Sequence, residues 1–100
     1  MIHYFVYIIY SSSRRIYYIG HTNNLDDRLI RHNNNRNKFT KGKGPWKLII
    51  SYKCNSKSEA YQLELKLKAL KSPSNAIQYL KNLIQSIPTS KSGGSKVRIL

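Results

Sequence analysis

The sequence predicts a small α/β (α+β) domain whose elements follow the order β-β-α-β-α-α. Two runs of aromatic and β-branched residues lie close together near the N-terminus, and a third run follows a basic loop. Helical spacing of apolar residues, with capping residues where each helix starts, accounts for most of the remaining chain. Because 100 residues is the length of one ordinary domain, we expect a single folded unit.

The first two strands are predicted at residues 3 to 10, HYFVYIIY, and at residues 16 to 20, IYYIG. Three serines, Arg14 and Arg15 form the short connection between them, which indicates an antiparallel hairpin. Side chains alternate between two faces of a strand, and the sequence does not fix which faces of the two strands coincide. One face of the first strand carries Phe5, Tyr7 and Ile9, and one face of the second carries Ile16, Tyr18 and Gly20.

The first helix is predicted from Asn24, a good N-cap residue, to about residue 34. Asp26 and Asp27 lie in its first turn, where the helix dipole favours negative charge. Spacings of three and four residues place four side chains on one face of this helix: Leu25, Arg28, Leu29 and His32. An arginine and a histidine, one turn apart, therefore border an apolar stripe.

Residues 35 to 45 have no apolar periodicity and contain basic residues and glycines, so we expect a mobile basic loop. The third strand is predicted from Trp46 to Tyr52. A second helix begins at Ser56, which forms a capping box with Glu59 and leads into a helix that lasts to about Lys71. The predicted core stripe of this helix consists of Ala60, Leu63, Leu67 and Leu70.

A third helix is predicted from Ser72, with Pro73 at its first helical position, to about Ser86. Its apolar residues are Ala76, Leu80, Leu83 and Ile84. The composition then changes to Ser, Thr, Lys and Gly without periodicity. We therefore expect a folded domain over residues 1–86 and a basic, disordered tail over residues 87–100.

The charge of the chain predicts a polyanionic partner. Eighteen Lys and Arg residues against four Asp and Glu residues give a formal net charge of +14, which is typical of a protein that binds nucleic acid. The alternative is a generally basic surface. Cys54 is the single cysteine, which excludes an intramolecular disulfide, and no Cys/His spacing resembles a zinc site. No signal peptide or membrane-spanning run is visible, so we expect a cytoplasmic protein, nucleoid-associated when bound to DNA, with no membrane partner and no implied protein partner.

Because the chain has only four acidic residues, each can be assigned a structural role or none. Asp26 and Asp27 suit a helix start, and Glu59 completes a capping box, which leaves Glu64 beside the buried stripe of the second helix. Its partner is either Lys68, four residues later, or a hard divalent cation, because Mg²⁺ is often held by only one or two carboxylates. Simple structural roles also remain open for the arginine, the histidine and the strand tyrosines.

A set of residues in order along the chain resembles the GIY-YIG nuclease superfamily, in particular its small stand-alone bacterial members. The set consists of Val6-Tyr7, then Tyr18-Ile19-Gly20 eleven residues further on, and then Arg28, His32 and a helical Glu64. The resemblance covers roughly residues 3 to 85. It implies a three-stranded, mostly antiparallel sheet flanked by about three helices, in agreement with the element order above.

The resemblance implies a metal-dependent endonuclease that hydrolyses phosphodiester bonds with one Mg²⁺ or Mn²⁺ ion. Glu64 would hold the metal and Arg28 would stabilise the negative charge of the transition state. Tyr7 would position or deprotonate the attacking water, and His32 and Tyr18 would complete its hydrogen-bond network. The group that finally takes the proton is left open.

DNA is the expected substrate, and we expect selection by DNA structure more than by sequence. The candidate substrate-binding residues are Gly20, His21, Arg14, Arg15, Arg31, Arg36, Lys38, Lys41 and Lys43.

Two departures from the family pattern bear on these roles. The first motif here is Phe5-Val6-Tyr7, so only its tyrosine matches, and His21 stands where many relatives carry lysine. Some relatives use an asparagine in the third helix, for which Asn75 and Asn82 are both candidates. The alternative functions are a catalytically inactive nucleic-acid-binding module and an RNA-associated basic protein. The second has less support, because no aromatic strand motif for stacking RNA bases is evident.

Overall fold

The computed structural model describes residues 2–85 together with residues 98 and 99. The predicted order β-β-α-β-α-α is confirmed, and a two-residue fourth strand follows it. The elements are β1 (Tyr4–Ser11), β2 (Ile16–Thr22), α1 (Leu25–Asn33), β3 (Trp46–Cys54), α2 (Lys57–Ala69), α3 (Pro73–Gln85) and β4 (Arg98–Ile99).

The sheet has the strand order β3-β1-β2-β4, so β1 lies between the other two long strands. Both β2 and β3 run antiparallel to β1, which confirms the predicted three-stranded antiparallel arrangement. The short β4 pairs in parallel with Ile16 and Tyr17 of β2. The predicted disordered tail spans residues 87–100; two of these residues form β4, and the rest lie outside the described residues.

The register between β1 and β2 decides which faces of the hairpin coincide. Tyr7 lies opposite Gly20 and Ile9 lies opposite Tyr18, so the tyrosine-bearing faces of the two strands are the same face. With Ile16 and Trp46, this face packs against Leu25 and Leu29 of α1. The opposite face, with Val6, Ile8 and Ile19, packs on α2 and α3 through Ala60, Leu67, Ala76 and Leu80. The sheet therefore has two apolar clusters, one on each side.

The helix starts follow the capping predictions. The side chain of Asn24 accepts a hydrogen bond from the Asp27 amide at 3.0 Å, and Ser56 Oγ accepts one from the Glu59 amide at 3.1 Å. The Glu59 carboxylate accepts in return from the Asn55 amide, one residue before the cap. The prediction is wrong for three residues of the apolar stripes: Leu70, Leu83 and Ile84 are exposed. Leu70 lies just past the end of α2 at Ala69, and Leu83 and Ile84 follow Leu80, the last residue of α3 in the core.

The loop between α1 and β3, expected to be mobile, is held by hydrogen bonds. Asn33 accepts from the Trp46 amide at 2.6 Å and donates to the Trp46 carbonyl at 3.1 Å. Ser11 Oγ donates to the Lys43 carbonyl, and Ser13 Oγ donates to the Gly44 carbonyl at 3.1 Å. The first strand and its turn thus fix the far end of the loop, and the end of α1 fixes the start of β3. Within the described residues, no helix has the length and apolar character needed to cross a bilayer.

Replacing Asn33 with alanine should destabilise the protein. The change removes the two hydrogen bonds from the Asn33 side chain to the amide and the carbonyl of Trp46. Leaving such groups unpaired lowers the free energy of unfolding by about 2 kcal/mol. Urea denaturation of Asn33→Ala measures this loss. Asn34→Ala is the matched control, because its side chain is exposed and makes no recorded hydrogen bond within the described residues. Equal losses in the two variants would show that the Asn33 bonds do not hold the loop.

Candidate active site

Three aromatic side chains from separate elements meet on the α1 side of the sheet. The rings of Tyr7 and Tyr18 lie 6.3 Å apart, and the His32 ring lies 5.8 Å from the first and 5.0 Å from the second. Tyr7 and His32 are almost fully buried, at 2% and 0% exposure. The fold therefore brings together three of the residues that the sequence predicts for the site. Because His32 is buried, it is not simply a polar residue on the surface of α1.

Gly20 is the residue that leaves space for the Tyr7 phenol. It pairs directly with Tyr7 across the hairpin, and a Cβ atom at this position would lie 2.6 Å from the phenol oxygen and 2.8 Å from the adjacent ring carbon. These separations are well inside normal van der Waals contact. The glycine of the second motif thus makes room for a side chain of the protein itself, whereas the sequence predicts a substrate-binding role for it.

A chain of hydrogen bonds runs from Tyr7 through His32 to the loop. Tyr7 Oη lies 2.8 Å from His32 Nε2, and His32 Nδ1 lies 2.7 Å from Thr40 Oγ1. No other acceptor for the Tyr7 hydroxyl is recorded among the described residues, so its proton points to Nε2. The Nδ1 position then carries the imidazole proton and donates to Thr40.

Burial shifts the pKa values of both groups toward their neutral forms. It lowers the pKa of His32 from 6.5 to about 4, with a further contribution from the Arg28 charge. It also raises the pKa of Tyr7 well above its ordinary value, an effect that Tyr18 reinforces and Arg28 opposes. At neutral pH this pair is a neutral phenol donating to a neutral imidazole, so a tyrosinate is absent from the resting site.

Arg28 lies between the aromatic cluster and a solvent-facing cavity. Its Nε atom is buried and has no hydrogen-bond partner among the residues that the structure describes. The side chain lines a cavity of about 310 Å³. Asp27 pairs with Arg31 at 3.1 Å, and Arg28 forms no ion pair within the described residues. No carboxylate there competes with an anion for its guanidinium.

Glu64 is the one carboxylate next to this cluster, and its side chain is 13% exposed. Lys68 Nζ donates to Oε2 at 2.6 Å, which is the simple helix pair considered from the sequence. The second oxygen, Oε1, lies 2.5 Å from His21 Nδ1, a partner that the sequence did not assign to it. Lys68 Nζ also lies 6.0 Å from the centroid of the Tyr18 ring. Lys68 thus links the glutamate to the tyrosine pair.

Glu64 is the one carboxylate here that offers the hard oxygen ligands Mg²⁺ prefers, and both of its oxygens have protein partners. Among the described residues, no three side chains of the types His, Cys, Asp and Glu come together. A Mg²⁺ site does not need such a cluster, since one or two carboxylates, water and substrate phosphate complete its coordination. Glu64 would hold the ion after Lys68 moves away from Oε2, and the imidazole of His21 would orient Oε1.

The basic residues predicted to bind substrate do not converge on the tyrosine pair. Arg14 and Arg15 lie in the β1–β2 turn, and Arg36, Lys38 and Lys41 lie exposed in the loop after α1. Arg14 donates to the Gly42 carbonyl at 3.4 Å, which brings the turn and the loop side by side. Three other side chains have local contacts: Arg31 with Asp27, Lys38 with Phe39, and Lys43 with the Phe39 carbonyl. His21 alone of the cationic candidates contacts Glu64.

The sequence did not single out Thr40 or Trp46 as site residues. Thr40 is fully buried and fixes His32, while the Trp46 ring lies 6.4 Å from the imidazole and its Nε1 donates to the Thr40 carbonyl at 3.4 Å. Thr40 lies in a polar, non-periodic segment, so no sequence signal marked it. Asn75 is exposed on α3, and Asn82 accepts a hydrogen bond from Gln78 at 3.1 Å.

Gly20→Ala should disrupt the position of Tyr7. The added Cβ overlaps the phenol, and forcing such overlap in a packed interior costs about 1–3 kcal/mol. Urea denaturation of Gly20→Ala, of Tyr7→Leu and of the double variant measures the coupling between the two positions. The cost of Gly20→Ala should fall sharply in the Tyr7→Leu background. An unchanged cost there would mean that the phenol is not what the glycine accommodates.

The stability of the protein should fall as the pH decreases from 6.5 toward 4. In this window the unfolded chain protonates at residue 32, whereas folded His32, with its pKa lowered to about 4, stays neutral. The stabilisation from this group is therefore complete above pH 6.5 and is lost below it. Urea midpoints of wild type and of the non-titrating His32→Gln variant should converge on acidification. Parallel curves for the two proteins would contradict this assignment.

Comparison with known proteins identifies the family. Residues 3–78 match the family model described as the GIY-YIG catalytic domain. A UPF0213 protein of Oceanobacillus iheyensis is 39% identical over 67 residues, which is 66% of this chain and 77% of the relative. A UPF0213 protein of Clostridium perfringens is also 39% identical over 67 residues, covering 66% of this chain and 71% of its own.

A solved structure is also similar to this chain. It is the solution NMR structure of a UPF0213 protein from Bacillus halodurans, with 30% identity, a TM-score of 0.48, and coverage of 80% of this chain and 84% of that one. The family match spans β1, β2, β3, α1 and the helix that carries Glu64. The chain belongs to the GIY-YIG family of nuclease catalytic domains.

Proposed function

We propose that this protein is an endonuclease that hydrolyses phosphodiester bonds in DNA with the help of one Mg²⁺ or Mn²⁺ ion. The observation that carries the proposal is the meeting of the motif residues at one place. Tyr7, Tyr18 and His32 are in mutual contact, and Lys68 connects this cluster to Glu64. Within a family of nuclease domains, this arrangement supports a catalytic role.

Arg28 is the group that receives the scissile phosphate. Its Nε proton has no partner in the described part of the chain, and the side chain lies beside the tyrosine cluster, where its charge acts to lower the pKa of both Tyr7 and His32. Guanidinium binds phosphate oxygens by charge-assisted hydrogen bonds, which strengthen as negative charge develops in the transition state. Arg28 forms no ion pair with a carboxylate within the described residues. No such pair therefore has to break before the phosphate binds.

Tyr7 positions the attacking water through its phenol oxygen. Its own proton is directed to His32 Nε2, so a lone pair of the oxygen can accept a hydrogen bond from water. Burial holds the resting phenol neutral, and the nearby Arg28 charge favours its ionisation. Added positive charge at Glu64 would act in the same direction as Arg28, so the loaded complex would favour ionisation of the phenol and would supply the phenolate that can accept a proton from water.

Glu64 would hold the divalent ion, which supplies charge neutralisation of the phosphate and of the leaving oxygen. The carboxylate presents Oε2 to Lys68 and Oε1 to His21. Lys68 Nζ therefore has to leave Oε2 as the ion binds. His21 would keep the carboxylate oriented through the other oxygen, which gives a role to the residue that replaces the lysine found in many relatives.

The basic turn and loop would contribute affinity for the DNA backbone without reading its sequence. Arg14, Arg15, Arg36 and Lys41 are exposed there, with Lys38 and Lys43 beside them, and phosphate contacts of this kind are independent of base identity. We therefore expect selection by structure, such as a nick, a flap, an end or a single strand. Binding should weaken steeply with salt, because each neutralised phosphate releases counterions.

A second candidate is a binding module without turnover. The observation in its favour is that both oxygens of Glu64 already have partners in the protein, Lys68 and His21. A carboxylate that serves only to join α2 to β2 would have the same contacts. The two functions differ in what happens when a divalent ion and DNA are both present.

Glu64→Ala should abolish cleavage and retain DNA binding. Plasmid, single-stranded and branched DNA are incubated with Mg²⁺ or Mn²⁺ and either protein, and the rate is expected to fall about a hundredfold or more in the variant. The matched control is Glu59→Gln, which changes the other glutamate of α2 and keeps the oxygen that accepts from the Asn55 amide. It should cleave at the wild-type rate.

Absence of cleavage by the wild-type protein on every substrate, with DNA binding intact, would favour the binding module. Equal loss of cleavage in Glu64→Ala and Glu59→Gln would instead indicate a general loss of folding. Thermal unfolding of each variant separates that case from a specific role of Glu64.

A further inference from the structure

The cavity beside Arg28 has a lining of hydrogen-bond donors and basic groups. It has a volume of about 310 Å³ and is lined by Tyr4, His21, Thr22, Asn23, Arg28 and Lys57. We propose that this cavity is a second phosphate subsite, which binds the phosphate next to the scissile one on the same DNA strand. The proposal rests on the proposed function, because it assigns the neighbouring position of the same substrate.

The chemistry of the lining selects an anion. None of the six lining residues is acidic, and three of them, His21, Arg28 and Lys57, carry or can carry positive charge. The hydroxyls of Tyr4 and Thr22 and the amide of Asn23 add neutral donors. A tetrahedral phosphate with its oxygens accepting in several directions matches this set.

Two of the acids near the cavity residues in sequence have partners elsewhere. Asp27 pairs with Arg31 on the exposed side of α1, and Glu59 accepts from the Asn55 amide. Lys57 makes no ion pair within the described residues and is exposed at the first position of α2. Its ammonium is therefore free to move onto a ligand in the cavity.

The position of the cavity fits a neighbouring phosphate. Arg28 and His21 belong both to the cavity and to the proposed active site, since His21 contacts Glu64. At the other end the cavity is lined by Tyr4 and Lys57, and Tyr4 packs on the α2 and α3 side of the sheet, whereas Tyr7 lies on the α1 side. The cavity therefore extends beyond the tyrosine cluster, on the side where His21 meets Glu64, and would hold a phosphate beside the one at Arg28.

Lys57 is the residue that distinguishes this subsite from the catalytic groups. Lys57→Gln removes the charge and keeps a side chain of similar length. Lys81→Gln is the matched control, because it removes the same charge from an exposed position on α3 that does not line the cavity. Both variants should fold, since neither side chain is buried.

The first measurement is binding of inorganic phosphate, followed through backbone amide shifts in ¹H–¹⁵N NMR spectra. Wild type and Lys81→Gln should show saturable shifts at Thr22 and Asn23, and Lys57→Gln should bind about tenfold more weakly. This experiment needs neither metal nor cleavage, so it remains informative if the protein proves to be only a binding module. Absence of saturable shifts at these residues in wild type would overturn the proposal.

The second measurement uses DNA oligonucleotides in which one phosphate at a time is replaced by a neutral methylphosphonate, bound to Glu64→Ala protein to prevent cleavage. With Glu64→Ala protein, replacing the phosphate at one position should weaken binding about tenfold. With the Glu64→Ala/Lys57→Gln double variant, the same replacement should have little further effect. Loss at that position to the same extent in both backgrounds would overturn the assignment of Lys57.

A terminal phosphate is the other source of the same chemistry. Oligonucleotides with a 5′-phosphate or a 5′-hydroxyl, each of the same sequence, separate the two. An internal phosphate subsite predicts equal affinity for the two ends, together with one sensitive internal position. A preference for the 5′-phosphate that disappears in Lys57→Gln, with no sensitive internal position, would overturn the internal assignment.

Discussion

The contact between the Tyr7 phenol and the backbone of Gly20 is the constraint on which the site depends. The two residues are directly paired across the hairpin, so the ring can reach across β2 only because no side chain stands there. From that position the phenol oxygen meets His32 on α1, and His32 in turn holds Thr40 in the loop. Strand, helix and loop are therefore positioned relative to one another through one buried polar chain.

The small number of acidic residues makes each carboxylate easy to interpret. In a protein with a net charge of +14, a largely buried carboxylate needs hydrogen-bonded partners to offset the cost of its burial. Glu64 has such partners in Lys68 and His21. An ion pair with Lys68 in the protein alone and a role for Glu64 in the loaded complex are therefore compatible. The same glutamate forms the pair in the protein alone and would form the metal site in the loaded complex.

Local signals made most of the fold predictable. Asn24 and Ser56 begin helices as their side chains require, and the aromatic and β-branched runs form the strands. The pairing register was not predictable, because alternation defines two faces but not how strands align. The contacts of Thr40 and of His21 with the site also depend on tertiary position. The resemblance to a nuclease family singled out the two tyrosines, Arg28 and Glu64. Residue spacing alone was equally consistent with purely structural roles for these side chains.

The alternation along β1 has a consequence for how this domain can change in length. Its odd-numbered residues, such as Tyr7 and Ile9, face α1, whereas Val6 and Ile8 face the two later helices. Inserting or deleting a single residue within β1 would exchange the two sets and place Tyr7 in the wrong layer. Added residues are expected to be tolerated in the turn and the loop, where they leave both faces of the sheet intact.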